Sequence, residues 1–280
     1  VAAVRAEARE AGLILPLVAV AHPGRFLADG SLARGTTPNL GTAPGQFDGL
    51  RPAEELTRRL GGDVFAENDA VAQMRFGLDA LLRDATIQPH LVGQTVVYLG
   101  PGTGMGGGVA RVDPSGHVTI LTDGHFFDLQ VPGIGEPVGL HGTLTAEELF
   151  TGPAIARMVE AANRRLSVPM TPAVAERVGQ LLADAQAPAD QRREAERIAA
   201  SQGEILAQII QTVHAGRIVK VRLEPSRDGG VVRRVEEPDR AWSKADQAVV
   251  RGVTRFLLGG SVGINPVLGG RIRERALEIL

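Results

Sequence analysis

"DVFAENDAVAQMRFG" (residues 63–77) changes its period in the middle. Apolar residues Val64, Phe65 and Ala66 run straight into Glu67-Asn68-Asp69, as in a strand, and a helical pattern begins at Asp69. Glu67, Asn68 and Asp69 sit at the handover. Two readings explain an amide beside a carboxylate there. Asn and Asp are good helix caps, because their side-chain oxygens accept the first free N–H groups. A helix N-terminus beside a ligand is also a good place to hold an anion or a reacting hydroxyl.

Working outward, strands and helices alternate. Residues 1–11 are predicted helical, ended by Gly12, and "LILPLVAVA" (13–21) reads as a buried strand. Residues 22–50 are rich in Gly, Pro, Asn and Asp and read as loop. "RPAEELTRRLGG" (51–62) is a short helix with Pro52 in its first turn. Strands are predicted at 94–100, 107–112 and 116–122. Residues 145–217 are mainly helical. Within the long helix over 189–216, Ile198, Ile205, Leu206, Ile209 and Val213 recur at three- and four-residue steps. "IVKVRLEPSRDGGVVRRVEEPDR" (218–240) reads as a projecting hairpin around Asp-Gly-Gly. The last stretch, from Arg255, gives a strand, a Gly pair and a helix. This alternation predicts an α/β fold.

The bulk numbers narrow the function. A net charge of −2 with interspersed signs argues against nucleic acid as a partner. No apolar run reaches membrane-spanning length, which argues against a membrane partner. The chain has no Cys, which excludes disulfides and thiolate metal sites and fits a cytoplasmic protein. No structural zinc is expected, since the scattered His residues leave no four-ligand set.

Two glycine-rich stretches carry chemistry. "YLGPGTGMGGGVARV" (98–112) places six glycines between two strand-like runs. Backbone amides in such a window can form an anion nest suited to phosphate, with the Thr103 hydroxyl as a further donor. The same window also reads as a tight glycine hairpin. No Gly-Lys-Ser/Thr follows it, so it is not a P-loop. "FLLGGSVGINPVLGGRIRE" (256–274) ends a strand in Gly259-Gly260-Ser261, where a flat ring can lie against backbone.

Taken in order, these pieces resemble the ROK family (repressor, open reading frame, kinase) of sugar kinases and regulators. "AVAHPGRFLADGSLARGTTPNL" (19–40) is similar to its strand, Pro-Gly and Asn-Leu segment. "VFAENDAVAQMRFG" (64–77), "VVYLGPGTGMGGGVARV" (96–112), "LTAEELFTGPAIAR" (144–157) and "FLLGGSVG" (256–263) are similar to its later motifs. The resemblance implies a two-lobed actin/hexokinase-like (ribonuclease H-like) α/β fold with a cleft. The first lobe would take residues 1–94, completed by a returning C-terminal helix at 271–280. The second would take residues 95–270, with an insertion at about 218–240. It implies ATP-dependent phosphorylation of a hexose or related sugar, with ATP and Mg²⁺ as cofactors, and a homodimer is expected. Asp69 would be the general base, since an ionised carboxylate can take a hydroxyl proton during attack. Sugar contacts would come from Asn39, Asn68, Asp69, His125 and Glu147. The nucleotide would lie across Gly102, Thr103, Gly104, Gly106 and Gly107 and the Gly259–Gly260 turn. No residue is assigned to a metal.

The departures from the family pattern matter too. "LTDGHFFD" (121–128) keeps His125 but has Thr122 where the family has Glu, and no Cys follows. His125 therefore reads either as a sugar contact or as a structural histidine. Glu147 reads either as a sugar contact or as an acid favoured beside a helix N-terminus. The family opens on an Asp-x-Gly-Gly-Thr phosphate loop. Here it either precedes Val1 or does not exist. The second case favours the alternative function, a non-catalytic sugar-binding sensor or regulator.

Overall fold

The computed structural model describes residues 17–34, 45–60, 62–122, 145–216, 219–225, 232–238 and 244–280, with residues 7, 10–12 and 37. By compactness the chain divides into unit 1, Val1–Phe76, and unit 2, Gly77–Leu280.

In unit 1, strand β1 (Leu17–His22) pairs in parallel with β2 (Asp63–Asn68), in register from Leu17↔Asp63 to His22↔Asn68. Parallel neighbours need a crossover. The chain between them contains helix α1 (Pro52–Leu60), with Glu54 and Glu55 in its first turn and Arg58 and Arg59 in its last, each sign matching the helix dipole. The register sets His22 beside Asn68, so the ends of both strands meet where helix α2 (Asp69–Leu82) begins. Along α2, Ala70, Val71, Met74 and Leu78 are buried at helical spacing. The division between the units falls within this helix.

Unit 2 follows with the single turn α3 (Gln88–Leu91) and three strands, β3 (Thr95–Pro101), β4 (Met105–Val112) and β5 (Val118–Thr122). Helices α4 (Ala146–Leu149), α5 (Gly152–Asn163), α6 (Ala175–Ala183) and α7 (Ala189–His214) come next. Strands β6 (Val219–Pro225) and β7 (Val232–Pro238) pair antiparallel, as the hairpin reading expects, and the tip of that hairpin lies outside the described residues. Helix α8 (Lys244–Val250), strand β8 (Arg255–Leu258), the short α9 (Gly260–Gly263) and helix α10 (Leu268–Ile279) complete the chain.

The main sheet runs β5-β4-β3-β8, antiparallel except where β3 meets β8. Strand β4 begins two residues earlier than the sequence suggests. Gly106, Gly107 and Gly108 are ladder residues opposite Gly100, Leu99 and Tyr98, so pairing overrides the low strand propensity of glycine. Val97, Leu99, Met105 and Val109 from the sheet pack with Ile155, Val159, Ile198, Ile205, Ile209 and Ile272 from the helices. The apolar stripe of α7 is buried as its spacing predicts. Helix α10 crosses α7 at Gly203, where an added Cβ would stand 2.6 Å from Cβ of Arg275 and 2.9 Å from the Ile272 carbonyl. Among the described residues, no helix is long and apolar enough to cross a membrane.

Candidate functional site

The Asn68–Asp69 junction divides its labour. Asn68 is buried, and its Oδ1 accepts from the backbone N–H groups of Ala70 (3.0 Å) and Val71 (3.1 Å). That is the helix cap. Its Nδ2 donates to the Gly24 carbonyl at 2.9 Å, tying the Pro23–Gly24 turn to the helix start. Asp69, the first residue of α2, is half-buried, and its Oδ1 accepts from the Ala70 N–H at 2.9 Å. Among the described residues Asp69 has no ion-pair partner. Glu67, the other acid of the triplet, is held by Arg75 at 2.9 Å. Asn68 caps the helix, and the Asp69 carboxylate stands at its positive end, sharing the Ala70 N–H.

The loop below this junction is itself pinned. The Asp29 carboxylate accepts from the Ser31 hydroxyl (2.6 Å) and N–H (3.0 Å) and pairs with Arg51 at 2.9 Å. These donors, the Ser31 hydroxyl foremost, lower its pKa to about 2. Asn39 lies outside the described residues.

The glycine window of unit 2 is a hairpin, with Pro101 paired to Met105. Three residues turn it, and Thr103 stands exposed at the tip. Inside the turn, the Gly102 N–H donates to the Gly104 carbonyl at 2.9 Å. The turn rests on α4 and α5. The Gly152 N–H donates to the Gly102 carbonyl at 2.8 Å, and the Met105 N–H donates to Glu147 Oε2 at 3.2 Å. Among the described residues, the Thr103 and Gly104 amides have no protein acceptor. The hairpin and anion-nest readings are therefore compatible: the ladder makes the hairpin, and its tip presents amides.

The second glycine motif abuts the first. The Gly259 N–H donates to the Leu99 carbonyl at 2.8 Å, and a Cβ there would collide with the buried Tyr98 ring. Gly260 takes φ +64°, and a Cβ on it would collide with the Pro101 carbonyl, so both positions require glycine. A Cβ on Gly102 would stand 3.9 Å from Ser261 Oγ. Gly102 and Ser261, 159 residues apart in sequence, are thereby set side by side. Sequence reading missed the roles of Tyr98 and Gly152, because these are contacts between distant segments and carry no local signature.

His125 lies outside the described residues. Among the described residues no group of three or more His, Asp or Glu is placed to hold a metal ion. The Thr103 and Gly104 amides, with no acceptor among the described residues, are donors of the kind a phosphate takes.

No family model matches the chain, and no curated protein matches it in sequence. Solved structures do match in fold. A ROK hexokinase from Thermus thermophilus superposes with TM-score 0.51 at 21% identity, over 99% of this chain and 73% of that one. A ROK family glucokinase from Streptomyces griseus, in complex with glucose and AMPPNP, gives 0.53 at 16% identity, over 99% and 76%. A ROK family transcriptional regulator, a homologue of the E. coli MLC protein, gives 0.60 at 16% identity, over 99% and 58%. The chain has the actin/hexokinase-like α/β fold of these proteins, as its motifs imply.

Proposed function

We propose that this chain is a ROK-type sugar kinase that transfers the γ-phosphoryl group of ATP to a hydroxyl of a hexose or related sugar. The observation that carries the proposal is the separation of roles at the β2–α2 junction: Asn68 caps the helix, and Asp69 is left as a half-buried carboxylate with no cation paired to it among the described residues. Asp69 is the general base. The acceptor oxygen attacks the γ-phosphorus and its proton passes to the Asp69 carboxylate. The bond from phosphorus to the bridging oxygen breaks, and ADP leaves with that electron pair. The Asn68 cap holds the Asp69 backbone in the first helical turn.

On the phosphate side, the Thr103 and Gly104 amides and the Thr103 hydroxyl bind the nucleotide, and the Gly259–Gly260 turn lies against it. Asn39 and His125 are proposed sugar contacts on the strength of the motif resemblance. The fold relatives support this direction, since one is described as a hexokinase and another as a glucokinase holding glucose and AMPPNP. The second reading, a sugar-binding regulator without phosphoryl transfer, is favoured by the fold likeness to a transcriptional regulator.

The test is Asp69→Asn in the full-length protein. The substitution keeps size and hydrogen bonding at the helix start, so fold and sugar affinity should persist. Turnover should fall by about 10²-fold or more, the lower range for loss of a general base. Near-normal turnover in this variant would remove Asp69 from the role.

A further inference from the structure

Two adjacent glutamates in α4 do different work. Glu148 closes a capping box: its Oε2 accepts from the Thr145 N–H at 2.8 Å, while Thr145 Oγ1 accepts from the Glu148 N–H at 3.2 Å. This fixes the start of α4 and leaves Glu147 facing elsewhere. Its Oε2 accepts from the Met105 N–H, and a Cβ on Gly104 would stand only 3.1 Å from that same oxygen. Glu147 is itself held from behind, since the Thr151 hydroxyl donates to its carbonyl at 2.8 Å. Thr151 is buried and caps α5, whose first N–H, that of Gly152, reaches the Gly102 carbonyl. A third tie comes from α7, where the fully buried Gln202 donates to the Leu149 carbonyl at 2.9 Å. The hairpin tip is thus gripped at both shoulders, Gly102 by a backbone amide and Met105 by a carboxylate.

We propose that Glu147 is a positioning residue for the nucleotide side of the reaction, holding the Gly102–Met105 turn so that its Thr103 and Gly104 amides face the phosphates. This rests on the reading of that turn as a phosphate site. A carboxylate would repel a phosphate met directly. Bound to the Met105 N–H behind the turn, it instead fixes the geometry of donors whose value depends on being oriented in advance. A hydrogen bond to a charged acceptor is also stronger than one to a neutral acceptor. Glycine at 104 suits the same account, because a side chain there would push against the oxygen that holds the turn.

The experiment compares Glu147→Ala, Glu147→Gln and Gly104→Ala in the full-length protein, with three readouts: amide hydrogen exchange at Met105, KM for ATP and KM for the sugar. In Glu147→Ala, exchange at Met105 should speed up, and KM for ATP should rise about tenfold, the order expected for one charge-assisted hydrogen bond. KM for the sugar should rise less than KM for ATP. Glu147→Gln keeps an acceptor oxygen and should restore most of the protection and of the ATP affinity. Gly104→Ala should raise KM for ATP as Glu147→Ala does. Unchanged Met105 exchange in Glu147→Ala would overturn the proposal. So would a rise in sugar KM in both Glu147 variants with ATP KM untouched, which would make Glu147 a sugar contact. Failure of the kinase reading leaves a different mark: wild type releases no ADP, while the exchange contrast between Ala and Gln at position 147 still decides whether the brace exists.

Discussion

Asn68 Nδ2 donates to the carbonyl of Gly24 at 2.9 Å, across 44 positions of sequence. The same side chain caps α2 through its oxygen, so one buried amide ties the turn after β1 to the start of the helix that carries Asp69. Removing it should damage both. Asn68→Ala loses the cap and leaves the Gly24 carbonyl without its donor, and should cost about 2–3 kcal/mol of stability. Urea unfolding monitored by circular dichroism gives the figure. A loss below about 0.5 kcal/mol, the range of an ordinary surface change, would show that the junction does not depend on this side chain.

Gly269 and Gly270 are neighbours in α10 with opposite surroundings. A Cβ on Gly269 would run into the Gly263 carbonyl, whereas nothing lies within 4 Å of one on Gly270. Gly269→Ala should therefore destabilise by about 1–3 kcal/mol through overpacking. Gly270→Ala should stabilise by about 0.5–1 kcal/mol, because alanine loses less backbone entropy in a helix. The pair of urea midpoints checks the α9–α10 corner, and shifts of the same sign would contradict it.

The loop below the Asn68 junction should respond to acid. The Asp29 carboxyl is lowered from 3.8 to about 2 by the Ser31 hydroxyl first, then by the Ser31 N–H and Arg51. A carboxyl lowered in the folded state stabilises it fully above its unfolded value. That contribution is lost as pH falls through the folded value. The Ser31 amide resonance should thus titrate with a midpoint near pH 2. A midpoint near the ordinary 3.8 would mean that the Ser31 and Arg51 contacts do not hold in solution.

The elements that were legible in the sequence are those whose signal is local. The change of period at Asn68–Asp69 marks β2 and α2, and the apolar steps from Ile198 to Val213 mark α7. The capping box of Thr145 and Glu148 is a local signal too, one that the sequence reading missed. What the sequence leaves open depends on distant partners. The glycine window reads as nest or as hairpin until the pairing of β3 with β4 and the support of α4 are seen. The contact from Glu147 to Met105 spans 42 positions and has no pattern. The tie from Asp29, in a stretch that reads only as loop, to Arg51, at the head of the next helix, is likewise hidden. A motif resemblance orders Asp69 and the two glycine turns but cannot say that Gly102 lies beside Ser261. Only the return of β8 next to β3 brings those segments together.

The central claim is phosphoryl transfer to a sugar, and both kinase and sensor bind sugar, so binding alone decides nothing. The most direct measurement is coupled ADP release by the full-length protein with ATP, across a panel of hexoses and amino sugars, beside thermal melts with the same sugars. The account expects sugar-dependent ADP release with at least one member of the panel, abolished to about one per cent or less by Asp69→Asn. Sugars that raise the melting temperature while none releases ADP would contradict it, and would make this chain a sensor.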